Sequence, residues 1–443
     1  MADFTDPVLD SDAQLAPAAL LETLTTEAPH DPYAALRYRD FRLLAIGRFI
    51  ASLGEQMVSV AIGWELYDRT GSALALGLVG LVQVLPVIVL SLPAGQVADR
   101  FDRKRVVIVT QILLALCGIG LAVLSYTRGS LFLVYTVLLF IGIARAFNNP
   151  AASSLLPQTV PPGVFTSAAT WSSSAWQFAA VTGLALGGLL IGIFNHAGEV
   201  YILDAVAALT FGVLVAMIRG KQIAHPKEVT TFKSLAAGVG FVLRTKIILA
   251  TITLDMFAVL LGGATTLLPI FAKDIMQVGP AGLGVLRAAP SIGAILMVLL
   301  IAHMPPFKHA GRTLLLAVIG FGLATIVFGV SRSFLLSLVM LALLGALDNI
   351  SVVIRSTLLL VRAPDEMRGR ISAVNNVFIG TSNELGGFES GLTAALFGPV
   401  LAVVGGGIGT ILVVLAIAWF WPEVRRLGRL DEGQVLAADA AAD

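Results

Sequence analysis

The residues that decide the fold are Gly95-Gln96-Val97-Ala98-Asp99-Arg100-Phe101-Asp102-Arg103-Lys104, which join two apolar runs near residues 73–98 and 106–126. Gly95 would let neighbouring helices approach closely, and Asp99 would sit at a helix terminus or pair with an arginine. Arg100, Arg103 and Lys104 would meet anionic lipid headgroups. An ordinary basic loop would not explain the ordered glycine, aspartate and arginine pattern. The stretch therefore predicts a loop between two membrane-spanning helices whose charges form a latch that can hold the two halves of the molecule together in one state.

The composition around this stretch is that of a membrane protein. Hydrophobic residues make up 57% of the 443 residues, charged residues only 13%, and mean hydropathy is +0.89. A soluble domain carries roughly 25% charged residues. The single cysteine, Cys117, excludes a disulfide framework, and the net charge of +1 is scattered, which excludes nucleic-acid binding. Nucleotide-binding loops, zinc-protease helices and nucleophile elbows are absent, so no enzyme, cofactor or metal site is expected.

The apolar runs predict an all-α polytopic protein of twelve spans, since one span needs ~20 apolar residues. They fall near 42–66, 73–98, 106–126, 131–155, 166–193, 200–218, 247–271, 281–303, 312–330, 334–361, 370–396 and 399–421.

These runs divide the chain into two predicted six-helix bundles. An acidic tail, 1–41, precedes the first bundle (42–218), a polar linker (219–246) precedes the second (247–421), and a second tail covers 422–443. The acidic start is unlike a signal peptide.

Loop charges orient the predicted spans. With both termini inside, the inside segments hold 21 lysines and arginines, and the outside segments hold only Arg69, Arg128, Lys273 and Arg332. The cytoplasmic side of a membrane protein keeps the excess of these residues. The sequence therefore predicts an inner-membrane protein with both termini in the cytoplasm.

The ordered stretch at residues 95–104 resembles the loop signature G-x-x-A-D-R-x-G-R-K of the major facilitator superfamily, with Asp102 where the family usually has glycine. Other stretches are similar to its drug:proton antiporter branch, which includes macrolide and enterobactin exporters; they include Ser52-Leu53-Gly54-Glu55-Gln56, Thr70-Gly71-Ser72-Ala73-Leu74, Asn149-Pro150-Ala151 and Arg368-Gly369-Arg370-Ile371-Ser372. The resemblance covers Phe41 to Trp421. It implies a monomeric carrier that rocks around a central cavity and exports a small molecule, a drug or siderophore, in exchange for protons.

One element of the exporters is altered in the fifth span. Their G-P-x-x-G-G run is here Gly183-Leu184-Ala185-Leu186-Gly187-Gly188, with Leu184 replacing proline. Gly183 and Gly187 still predict close helix packing. The run itself does not argue for antiport.

Charged residues inside spans point to function, because each costs ~2.5 kcal/mol or more at the bilayer centre unless it is paired or faces a cavity. Glu55 is the first candidate for proton coupling, and Asp255 and Glu384 are further candidates. A purely structural ion pair of Glu55 with Arg48, Arg145 or Arg355 is the alternative.

Spacing suggests where such charges pair. Arg48 and Glu55 are seven residues apart, two turns on one helix face, and Asp348 and Arg355 repeat this spacing in the tenth span. Polar and aromatic residues within spans are candidates for the wall of a substrate cavity, although helix packing or lipid contact explains them equally well: Gln177, Asn376, Asn383 and Trp176.

Two other functions remain open from sequence alone. One is a carrier of a lipid-like or metal substrate that works without proton coupling. The other is a sensor or assembly partner that does not transport, in which the acidic tail before Arg37 contacts a cytoplasmic protein.

Overall fold

The computed structural model describes residues 31–219, 240–305, 307–363 and 368–429, except for a few side chains that include those of Asp99 and Asn376. Most of the predicted acidic tail and linker, and the last part of the predicted second tail, lie outside the described residues.

The described residues form twelve long helices that match the twelve predicted spans. They are α1 (Arg39–Thr70), α2 (Ala73–Arg100), α3 (Arg103–Tyr126), α4 (Leu131–Leu155), α5 (Phe165–Phe194), α6 (Gly198–Ala216), α7 (Lys246–Leu261), α8 (Gly279–Ala302), α9 (Ala310–Val330), α10 (Phe334–Arg362), α11 (Arg368–Phe397) and α12 (Pro399–Phe420). Helices are required because hydrocarbon offers no partners to backbone N–H and C=O groups.

Eleven of the helical segments in the described residues are long and apolar enough to cross a membrane. The exception among the long helices is α11, which carries Asn383, Glu384 and Glu389 in its second half. A helix this polar can cross the bilayer only if its polar face is covered by protein or lines a cavity. The long helix that is too polar for this criterion is therefore expected to face a site.

The seventh span is interrupted. α7 ends at Leu261, and the chain passes through Gly262 and Gly263 into a 3₁₀ turn, Ala264–Leu267, and then a π-helical turn, Phe271–Ile275. The sequence predicted one continuous run over 247–271. Irregular backbone at membrane depth is tolerated where it is buried in protein or lines a cavity, so this break also marks a site.

Two helix pairs join the halves of the molecule. α2 packs along α11, and α5 packs along α8. In a six-plus-six duplication α2 corresponds to α8 and α5 to α11, so the two pairs are equivalent contacts. This pairing is the arrangement of the major facilitator fold, with a central space between the halves.

Candidate substrate cavity and charge network

A central cavity of about 260 Å³ lies where α1, α2 and α4 meet α8, α11 and the turn after α7. Its wall is polar for a membrane protein, and the groups that carry charge or amides are Gln83, Arg145, Arg287, Asn383 and Glu384. Hydroxyls of Ser59, Thr265 and Thr266 add to them. A cavity with a few polar groups among apolar side chains, placed between two mobile halves, has the composition of a small-molecule site.

Arg145 on α4 connects this cavity with Glu55 on α1. Its Nη1 donates a hydrogen bond to Oε1 of Gln83 at 2.8 Å, and its Nε lies 3.6 Å from Oε1 of Glu55. Glu55 is absent from the central wall and lines a smaller cavity of about 20 Å³ behind it, which Arg145 also lines. Arg145 therefore contacts both the space for substrate and the candidate proton-binding carboxylate.

The structure selects Arg145 from the three partners considered for Glu55. Arg48, two turns away on the same helix, has no acidic side chain within 4.0 Å among the described residues, although its spacing suggested a pair with Glu55. Residues seven apart share a face of their helix, but their side chains are about 10 Å apart along its axis, and a neighbouring helix can supply a nearer partner. Asp204 on α6 also lines the smaller cavity, and its carboxylate lies against Gly54.

The second spacing argument gives the wrong partner as well. Arg355 on α10 forms its ion pair with Asp255 on α7, and both side chains are almost fully buried, at 3% and 8% exposure. Asp348 has no cation within 4.0 Å in the described part of the chain and lines a side cavity. The Asp255 carboxylate is held inside the second half and does not line the central cavity, so its role in proton coupling stays a prediction.

Glu384, the third coupling candidate, lines the central cavity directly. Its Oε2 lies over Gly80 of α2, where an added Cβ would come within 2.7 Å of it. No basic side chain approaches it within 4.0 Å among the described residues. Across the same cavity Arg287 donates from Nη1 to the carbonyl and the hydroxyl of Ser59, at 2.7 and 2.9 Å.

Several wall residues were not singled out from sequence. Arg287, Gln83, Ser59 and the two threonines after the α7 break were not among the candidates. The signal that could have found Arg287 is the one that found Arg145, an arginine within an apolar run. Polar residues such as Gln83 give no such signal, because most of them satisfy helix contacts.

The remaining cavity candidates are placed differently. Asn383 lines the central cavity, whereas Gln177 and Trp176 do not line it, and the side chain of Trp176 is half exposed. The side chain of Asn376 is outside the described part. For Gln177, Trp176 and Asn376 a role in binding substrate stays a prediction.

The cavity is closed at the end of the bundle away from the chain termini, here called the far side. On this side Tyr67 donates a hydrogen bond to Asp274, and Lys273 forms an ion pair with Asp68 at 2.6 Å. Both contacts join the two halves, because α1 supplies one partner and the turn before α8 supplies the other.

Glycines allow the same halves to meet closely on the far side. An added Cβ at Gly188 of α5 would come within 2.6 Å of the Gly284 backbone on α8, and Gly77 on α2 faces Gly391 on α11 in the same way. By contrast, Gly95, at the other end of α2, has no atom within 4 Å of an added Cβ. The expectation that Gly95 supports close helix approach is therefore wrong for this conformation, as far as the described residues show.

The predicted latch stretch forms contacts within the first half only, as far as its side chains are described. Arg103 donates to the carbonyls of Ala98 and Ser154, at 3.2 and 3.4 Å, and Lys104 donates to the carbonyl of Ile218 at the end of α6 at 2.8 Å. Arg100 is exposed, and the Asp99 side chain is outside the described part. A latch between the halves, with Gly95, Asp99, Arg100, Arg103 and Lys104, stays a prediction for a state closed on this side.

The structure explains why Asp102 can stand where the family pattern usually has glycine. Its φ is −58°, which any residue adopts, and its carboxylate accepts a hydrogen bond from the N–H of Arg105 at 3.2 Å. Aspartate is among the best residues at this N-cap position. The turn therefore does not need glycine, and aspartate caps α3.

The expected glycine packing in α5 is confirmed. Added Cβ atoms at Gly183 and Gly187 would come within 2.8 Å of α1 atoms, at Leu53 and Met57 respectively. The two helices thus touch backbone to backbone in spite of Leu184, and the proline of the exporter pattern is not needed for this contact.

Known proteins of similar sequence and structure agree with this architecture. The chain is 26% identical over 406 residues to the enterobactin exporter EntS of Escherichia coli O1:K1 / APEC, and equally to that of Shigella boydii, covering 90% of this chain and 96% of each relative. Among solved structures, the nucleoside transporter NupG superposes with a TM-score of 0.71 at 12% identity, covering 86% of this chain and 99% of that one. The POT family transporter PepTSo gives 0.70 at 14% identity, over 90% and 99%.

A third solved structure is described as inward-facing. It is a bacterial homolog of the human lysosomal transporter Spinster in an occupied state, with a TM-score of 0.67 at 15% identity, covering 90% of this chain and 98% of that one. These likenesses show the fold. The family described as Transmembrane secretion effector matches residues 30–432. The chain belongs to this family of major facilitator transporters, which are secondary carriers of small molecules and not enzymes.

Proposed function

We propose that the protein exports an amphipathic small molecule, a drug or a siderophore, from the cytoplasm in exchange for protons. The direction is supported by the similarity to the enterobactin exporters over nearly the whole chain. The excess of lysine and arginine in the loops supports a topology with both termini in the cytoplasm. On that orientation the contacts of Tyr67 with Asp274 and of Asp68 with Lys273 close the cavity toward the outside, as is needed when an exporter takes up its substrate.

The observation that carries the coupling proposal is the position of Arg145. Its guanidinium lies in the central wall and also 3.6 Å from Glu55. A proton on Glu55 removes the charge that attracts Arg145, so the guanidinium changes its position in the substrate cavity. Conversely, a substrate that displaces Arg145 changes how readily Glu55 holds its proton, because the two interactions are linked.

The energy available is sufficient for export. One proton entering across ~100 mV releases about 2.3 kcal/mol. Because about 1.4 kcal/mol corresponds to a tenfold ratio of concentrations, this supports a substrate gradient of roughly 40-fold. A pH difference adds to it.

A flux assay in proteoliposomes tests the proposal. A panel of amphipathic compounds is placed on the side of the membrane where the chain termini lie. Their movement to the other side is measured with and without a proton gradient that drives protons toward the termini side. Wild type should export at least one compound faster with the gradient, and Glu55→Gln should lose this stimulation. Glu65→Gln is the matched control, because Glu65 lies on the same helix, pairs with Arg69 at 3.3 Å and lines neither cavity.

The other two functions give different results. Export by wild type that does not respond to the gradient would identify an uncoupled carrier. Absence of flux for every compound, together with specific capture of a soluble protein by residues 1–41 of the intact carrier, would favour the sensor. Normal stimulation of export by the proton gradient in Glu55→Gln would refute the role of Glu55 in proton coupling.

A further inference from the structure

A side cavity of about 170 Å³ lies beside the central one, inside the second half of the molecule. It is bounded by the break after α7, by Phe321 on α9, by α8 and by Asp348 on α10. Thr265, Thr266 and Asn383 line both cavities, so the two cavities are adjacent and share these side chains as a common wall. A molecule bound in the central cavity therefore lies next to the side cavity.

Asp348 is the one acidic residue in the wall of this side cavity, and the described residues give it no counterion. No basic group lies within 4.0 Å of its carboxylate in the described part of the chain, and no hydrogen bond to it is formed there. Asp255 shares a small adjoining space with Asp348, but its charge is balanced by Arg355. A carboxylate within a membrane span is costly unless something pairs with it, so the position calls for a cationic partner.

The broken helix adds negative potential to the same wall. α7 ends at Leu261, where the carbonyl oxygens of Val259 and Leu260 lie against Gly386 of α11 and that of Leu261 lies against Gly406 of α12. The C-terminal end of a helix carries partial negative charge, and transporters use such ends to hold cations at the centre of the membrane. Val259 lines the cavity and Thr265 and Thr266 form no hydrogen bond through their hydroxyls in the described part.

The other lining residues determine which cation fits. Pro290, Phe321 and Leu344 make much of the wall apolar. A bare inorganic cation prefers about six oxygen ligands at close distance, whereas this space is several water molecules in volume. An organic ammonium group needs one carboxylate, apolar contact and, where available, an aromatic face such as that of Phe321.

We infer that the side cavity is a subsite for a protonated amine or quaternary ammonium group of the transported molecule, bound by Asp348 close to the C-terminal end of α7. The inference rests on the proposed export function and names its substrate class: an amphipathic cation. The cationic group occupies the side cavity, and the apolar body of the molecule extends past the shared threonines into the central cavity.

Binding to the purified full-length carrier tests this without any transport. The probes are benzyltrimethylammonium and its neutral carbon isostere, neopentylbenzene, which have the same shape and differ in charge. By calorimetry, wild type should bind the ammonium compound about tenfold or more tightly than the isostere, and Asp348→Asn should bind the two alike. Glu389→Gln is the matched control, since it removes a carboxylate from the same half outside this cavity.

Phe321→Leu provides an independent variant if Asp348→Asn does not fold. It should weaken binding of the ammonium compound several-fold and leave the isostere unchanged. The inference is overturned if wild type does not prefer the ammonium compound or if Asp348→Asn keeps the preference. It is also overturned if calorimetry shows that wild type binds Na⁺ but not K⁺ and that Asp348→Asn loses this binding. Because no flux is measured, a carrier that binds the cation but fails to export would refute the proposed function alone.

Discussion

The far-side seam between α5 and α8 leads to the sharpest structural prediction. An added Cβ at Gly188 would lie 2.6 Å from Cα and N of Gly284, whereas carbon atoms in contact stay about 3.5–4.0 Å apart. Backbone atoms cannot rotate away, so Gly188→Ala must push the two halves apart on the far side. Overpacking of this kind costs about 1–3 kcal/mol.

The cost applies only to the conformation closed on the far side. When the halves separate there, the new methyl group has room, so the substitution shifts the population toward the state open to the outside. At about 1.4 kcal/mol per factor of ten, the ratio of the two states should change by roughly 5- to 150-fold. Alanine also favours helix over glycine by about 1 kcal/mol, so a loss of helix would not explain the shift.

Spin-label distances between Thr127→Cys and Arg332→Cys, in loops of the two halves on the far side, report the shift. The single native cysteine, Cys117, is replaced by alanine for this measurement. Gly188→Ala should move the distance distribution toward longer separations. Gly192→Ala, one turn along α5, is the control, because its Cβ would come no closer than 3.4 Å to any of these neighbouring atoms, the nearest being Cβ of Ala281. If Gly188→Ala gives the same distribution as Gly192→Ala, the reasoning from this seam is refuted.

Three further outcomes follow from the described contacts. Asp255→Asn leaves Arg355 buried without its partner and should lower the free energy of unfolding by about 3–5 kcal/mol, which is measured as a lower melting temperature in detergent. A double substitution with Arg355→Met should recover most of this loss. A double variant as unstable as the single one would argue against the ion pair. Asp102→Ala should cost about 1 kcal/mol, whereas Asp102→Gly, the family residue, should cost only a few tenths, which equal losses would contradict. Lys273→Ala should open the far side and move the spin-label distances between Thr127→Cys and Arg332→Cys toward longer values. An unchanged distance distribution would show that the ion pair between Lys273 and Asp68 does not hold the far side closed.

The positions of the spans could be predicted from sequence because hydropathy is a local property. All twelve apolar runs correspond to helices, and except at the end of the seventh run the helix ends differ by a few residues; the loop signature identified the superfamily. The break in the seventh span was missed, because Gly262-Gly263 lies within a run that is apolar throughout. Two glycines in such a run are common at helix contacts, and nothing local distinguishes a break from close packing.

The charge network could be predicted only in part. Residues Glu55, Arg145, Glu384 and Asn383 were identified as charged or polar groups within spans, and the structure brings them to the central cavity or directly behind it. Their partners were not predictable, because spacing along one helix gives a shared face but does not show which side chain the next helix presents. Asp348 shows this most clearly, because Arg355, its expected partner, pairs with Asp255 of another helix instead.

The central claim is that substrate leaves as protons enter, through the linked positions of Glu55 and Arg145. The most direct measurement is the pH inside proteoliposomes during export, read from a trapped dye, with the substrate gradient as the only driving force. Protons should move opposite to the substrate in wild type and in Glu65→Gln, and this movement should disappear in Glu55→Gln. Proton movement in the same direction as the substrate, or substrate flux in wild type with no proton movement, would contradict the account.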